Sequence, residues 1–198
     1  MDNIFSLDSS VSRFIDKFLQ HKTILSQGTP LADQYESYCY TPISSYHHRW
    51  FIEICNFYKI PITMQRQAYI WDGKQLDISQ LYDFHHQMHE IGHYLMCPLE
   101  YKHYIDYGLG AGGAYYIEAC RDDVEEDILA SIFGIYIEFL VGDNIGVTIG
   151  DVGADEVLTR EYVNQCFRYY YDLGIIDTKG NLYNEKRIIF QETTAINI

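Results

Sequence analysis

Four of the eight histidines in this 198-residue chain fall within nine positions, in the stretch DFHHQMHEIGHYLMCP (83–98). This stretch constrains the fold more than any other. Leu81, Phe84, Met88, Leu95 and Met96 repeat at helical spacing, Asp77 upstream is a good cap, and Pro98 blocks continuation. The spacing predicts an amphipathic helix from near Asp77 to just before Pro98. Side chains four apart on a helix lie one above the other, so His89 and His93 point the same way. Two imidazoles on a mostly buried face are unfavourable unless hydrogen-bonded or metallated. The rest of the chain must therefore supply a partner for them.

His89-Glu90-Ile91-Gly92-His93 is an H-E-x-x-H pattern. The two imidazoles can share one ion, and Glu90 sits beside them within reach of a ligand on that ion, where it would act as acid or base. His85 lies one turn before His89, as an outer-shell group, an extra ligand or a solvent-facing residue. His86 faces elsewhere. Two histidines do not hold a divalent ion alone, so a third protein ligand must come from another element. The acidic start of the next long helix, RDDVEEDILAS (121–131), is the obvious donor. Glu125 and Glu126 diverge by about 100° on a helix, so one of them faces the site. Val124, Ile128, Leu129, Ile132 and Ile135 define the expected buried stripe, and Glu125 lies at its edge; Glu125 is the expected third ligand. Glu126, with Asp122 and Asp123, is expected to complement the helix dipole or to sit in the outer shell. Asp106 is either an outer-shell partner of a ligand histidine or a turn acid before Gly108.

Elsewhere, SSVSRFIDKFLQHK (9–22) and HHRWFIEICNFYKI (47–60) read as helices with apolar faces. ITMQRQAYIWDGKQLDI (62–78) reads as strands around a turn at Asp72-Gly73. A long helix is expected from about Asp122 to Leu140, and another in ADEVLTREYVNQCFRYYYDLG (154–174), stopped at Gly174. A small hairpin is expected in the tail, IIDTKGNLYNEKRIIF (175–190). GLGAGG (108–113) lacks the strand, helix and parallel-sheet context of a dinucleotide fingerprint, and reads as a loop at the rim of the metal site. With neither repeat nor linker, residues 1–198 read as one α+β domain, mainly helical, with a small sheet and a metal site between two helices.

A net charge of −14 argues against nucleic acid or an anionic membrane as partner, and favours cationic ligands. Five scattered cysteines without a C-x-x-C, and an N-terminus without a basic leader or long apolar run, suit a cytoplasmic protein in a reducing compartment.

HEIGHY, then DYG at 106–108, then DVEEDILA at 123–130 resembles the elongation factor P hydroxylase family. That family carries H-E-I-S-H-W, a D-F-G at the same offset, and D-V-E with an alanine five residues after the glutamate. Gly92 stands where the family has serine. The resemblance spans roughly residues 85 to 145. It implies a metal on His89, His93 and Glu125, Fe(II) in preference to Zn(II), and oxygen-dependent hydroxylation of a protein side chain. The same residues read without the resemblance suit a zinc metallopeptidase, with Glu90 as general base and His103 or a tyrosine at the oxyanion.

Overall fold

The computed structural model describes residues 4–6, 8–26, 44–81, 83–109, 124–142, 145, 149 and 158–183, with backbone alone at 23–26 and 124. Five α-helices and a two-stranded sheet build it: α1 (Ser10–Ser26), α2 (Ser45–Tyr58), β1 (Ile62–Thr63), β2 (Leu76–Asp77), α3 (Phe84–Met96), α4 (Val124–Leu140) and α5 (Arg160–Asp172). Short 3₁₀ turns cover Ile78–Gln80 and Ile105–Gly108. The architecture is α+β and mainly helical, as the periodicity implied. No helix among the described residues is long and apolar enough to cross a membrane.

Local sequence sets most boundaries. Ser44 caps α2 by accepting from the His47 amide, and Thr159 caps α5 by accepting from that of Tyr162. The histidine helix starts later than expected. Asp83, not Asp77, accepts from the His86 amide and opens α3. Asp77 does cap, but it caps the preceding 3₁₀ turn through the Ser79 amide, and it also accepts from the Gln67 amide and the Gln80 side chain. A fully buried aspartate with that many donors is satisfied where it stands.

The strands also differ from expectation. β1 and β2 run parallel, with Ile62 opposite Leu76 and Thr63 opposite Asp77. The turn at Asp72-Gly73 is present, closed by an antiparallel bridge from Trp71 to Leu76. The tail hairpin forms over Ile175–Tyr183, with an Ile176–Leu182 bridge and Gly180 in the left-handed region; residues 184–190 lie outside the described residues.

α3 and α4 form the most extensive helix pair. Their backbones nearly touch at two glycines. A Cβ on Gly92 would sit 2.9 Å from Ala130 Cα, and one on Gly134 would sit 3.0 Å from the His89 amide nitrogen. Both distances are too short for a larger residue without moving a helix. Behind this pair, Phe14 and Phe18 of α1, Phe133 and Tyr136 of α4, and Phe167 and Tyr170 of α5 build an aromatic core with ring centroids 4.7–5.6 Å apart. Tyr170 donates to the Leu129 carbonyl and Tyr136 to that of Gly180, so both buried hydroxyls are satisfied. These contacts bury α4 on two sides. Residues 132–138 are all buried, not a single stripe.

Candidate metal centre

The antiparallel α3–α4 pair places one residue of α3 against each turn of α4. Asp127, Ser131, Gly134 and Glu138 follow a 4-3-4 spacing and line the face of α4 that meets α3. At one end of that face His89 Nε2 and His93 Nε2 are 2.9 Å apart. Asp127 Oδ1 lies 3.4 Å from the first and 3.5 Å from the second. These three donors, all within 4.8 Å of one another, are the only such group among the described residues. Donors bonded to one ion at about 2.1 Å stand about 3.0 to 3.4 Å apart in octahedral or tetrahedral geometry, and the observed triangle has that size. Two ring nitrogens cannot both present lone pairs to each other at 2.9 Å without a proton or a cation between them. The chemistry of the donors therefore fits a divalent ion.

The surroundings prepare each donor differently. His89 Nδ1 is 3.0 Å from Ser131 Oγ. As the donor of that bond, Nδ1 carries the proton and leaves Nε2 free for metal. Burial holds His89 below its ordinary pKa, favouring the neutral ligand form, although Asp127 opposes the shift. Contacts to His89 and then His93 hold the Asp127 carboxylate well below its usual range, against a smaller desolvation effect. Its side chain is 63% exposed, so the donor group opens to solvent on the Asp127 side. His93 Nδ1 is buried without a hydrogen-bond partner, and Glu126 Oε1 lies 3.6 Å from it.

The expected third ligand is not brought to this group. Glu125 is exposed and lines a groove of about 320 Å³ between α4 and α5, with Tyr162, Gln165 and Tyr169. Asp127 takes its place, about 200° further round the helix. The face of α4 that meets the histidines carries Asp127, Ser131 and Glu138, not the apolar stripe read from the sequence. Those three polar residues and Gly134, at 4-3-4 spacing in an otherwise apolar helix, were the signal that could have found it. Glu126 is buried, as an outer-shell residue would be, and also borders the groove.

His85 is neither solvent-facing nor at the metal. It is 5% exposed, and its Nδ1 is 2.9 Å from Glu138 Oε1, itself fully buried. His86 is exposed. His103 is exposed too, with its ring against Tyr104. Glu90 is 9% exposed, and its charge acts on His89 and on Asp106. Burial, followed by that Glu90 charge, pushes Asp106 up to about 6, and His93 and a hydrogen bond from the Trp71 backbone pull the other way. Asp106 therefore borders the site. Gly108 is buried at φ +78°; the remainder of the glycine-rich stretch, with Cys120, Asp122 and Asp123, lies outside the described residues. Cys55, Cys97 and Cys166 are buried.

No family model, no curated protein and no solved structure matches the chain.

Proposed function

We propose that the protein is a metal-dependent enzyme whose centre is held by His89, His93 and Asp127, and that it hydroxylates a protein or amino-acid side chain with non-haem iron. The donor triangle carries the reading: two imidazoles and one carboxylate within 4.8 Å, open to solvent on one side. Two histidines and a carboxylate leave coordination positions for oxygen and substrate and suit Fe(II). The resemblance of HEIGHY and the downstream DYG to the elongation factor P hydroxylases supports the same chemistry. When bound, iron would supply the oxygen activation. The chain's own residues would hold the ion, keep His89 in the metal-binding tautomer through Ser131, and move protons at the Glu90 carboxyl. The acidic groove between α4 and α5, with Glu125, Glu126, Tyr162 and Tyr169 on its walls, would receive a cationic side chain of the substrate.

A second reading, a zinc hydrolase, draws on the intact Glu90 between the two histidines. Its carboxylate would serve as general base on a zinc-bound water. Metal analysis of protein purified without oxygen separates the two. Bound iron with oxygen-dependent turnover is the expected result. Tightly bound zinc with no oxygen uptake on any peptide would overturn the hydroxylase reading and favour the hydrolase.

A further inference from the structure

Ser131 Oγ holds the outer nitrogen of His89 at 3.0 Å, whereas the Glu126 carboxylate stands 3.6 Å from that of His93. Its Nδ1 has no hydrogen-bond partner. An aromatic ring lies on it instead. Tyr107 stacks on His93 with centroids 5.8 Å apart and planes 21° apart. Trp71 also stacks on Tyr107, with centroids 5.2 Å and planes 10° apart. Trp71 is itself tied down, because its indole Nε1 donates to the Lys102 carbonyl at 2.9 Å and its own carbonyl accepts from the Asp106 amide at 3.0 Å. The Tyr107 hydroxyl reaches the Glu90 carbonyl at 3.5 Å.

The backbone that delivers Tyr107 is strained. Asp106 has φ 44°, Tyr107 φ 56° and Gly108 φ 78°, three successive left-handed residues of which only the last is glycine. Such residues persist only where the surroundings hold them, and they gather at functional sites. The strain here turns the chain so that the Tyr107 ring stacks on both Trp71 and His93.

We infer that Tyr107 is a positioning residue for the metal centre: stacked on His93 and backed by its own stack with Trp71, it sets the imidazole plane of His93 so that Nε2 faces His89 and Asp127. The inference rests on the metal-centre reading above. It makes the two ligand histidines unequal, one oriented by a hydrogen bond and one by a stack. It also makes the phenyl ring, and not the hydroxyl, the part that matters.

Co(II) titration of the whole protein, followed by its visible absorption, tests this together with proton NMR of the metal-free form. Tyr107→Leu should weaken Co(II) binding about 10- to 100-fold, the range for losing an outer-shell partner, and change the absorption band. Tyr107→Phe should stay within about threefold of wild type and keep the wild-type band. In the metal-free protein the His93 ring protons should show an upfield ring-current shift that Tyr107→Phe retains. Wild-type affinity in Tyr107→Leu would overturn the positioning role. If that variant does not fold, loss of affinity in Tyr107→Phe, or an unshifted His93 ring in wild type, overturns it equally. Failure of wild-type protein to take up Co(II) would instead overturn the metal-centre reading, whatever the NMR shows.

Discussion

The α3–α4 interface pairs a histidine with an acid twice, and the two ends behave differently. At one end His85 meets Glu138, with side chains 7% and 0% exposed. At the other, His93 and His89 meet Asp127, whose side chain is 63% exposed. The pairing chemistry is the same, but the exposure is not. A sealed pair has no room for a further ligand and leaves an uncompensated buried charge if one member is lost. An open pair gains a second histidine and a solvent-facing side, which an ion needs. Position along one helix interface thus separates a structural contact from a candidate centre.

The largest expected effect lies at the sealed end. Glu138→Ala should destabilise the protein by about 3–5 kcal/mol in denaturant unfolding, while the folded fraction binds metal as wild type does. If the open end is the centre, Asp127→Asn should do the reverse. Metal affinity should fall roughly 100-fold, about 2.8 kcal/mol, with metal-free stability changed by about 0.5 kcal/mol or less. In the same titration Glu125→Gln should stay near wild type. A large loss in Glu125→Gln with none in Asp127→Asn would return the ligand role to Glu125. Ser131→Ala should have a smaller effect, about tenfold in affinity, because the imidazole of His89 loses its orienting partner but remains a ligand.

A pH series reads the same contrast with the smallest effect. Burial lowers the pKa of His89 in the folded chain. Between that lowered value and about 6.5 the unfolded chain therefore binds a proton that the folded chain does not. Stability of the metal-free protein should rise with pH through this window and fall as pH drops below about 6.5. His89→Gln should flatten that slope, and an unchanged slope would remove His89 as its source.

Much of this was legible in advance. Helical spacing gave α1, α2, α4 and α5 nearly as they stand, and the i, i+4 rule placed His89 and His93 on one face. The start of α3 was misread because Asp77 and Asp83 are both competent caps, and only the Gln67 and Gln80 contacts decide that Asp77 serves the preceding turn. The hairpin reading of residues 62–78 failed in part because a two-residue parallel pairing leaves no periodic trace. That His85 is buried rather than solvent-facing was not legible, because its partner Glu138 lies 53 residues away on another helix. Tyr107 lies inside the DYG motif at 106–108, but nothing in the spacing indicates that its ring stacks on His93.

The sequence by itself determined that two imidazoles share a helix face with a glutamate between them, because helical geometry fixes the angles between residues of one helix. It also determined that the acidic start of α4 would supply carboxylates. Which carboxylate meets the histidines was decided only by the tertiary structure. Helical periodicity does not set how a helix is rotated against its neighbour, and a helix buried on two sides has no single stripe to reveal it. The close approaches at Gly92 and Gly134 set that rotation, and with it brought Asp127 to the histidines and left Glu125 in the groove.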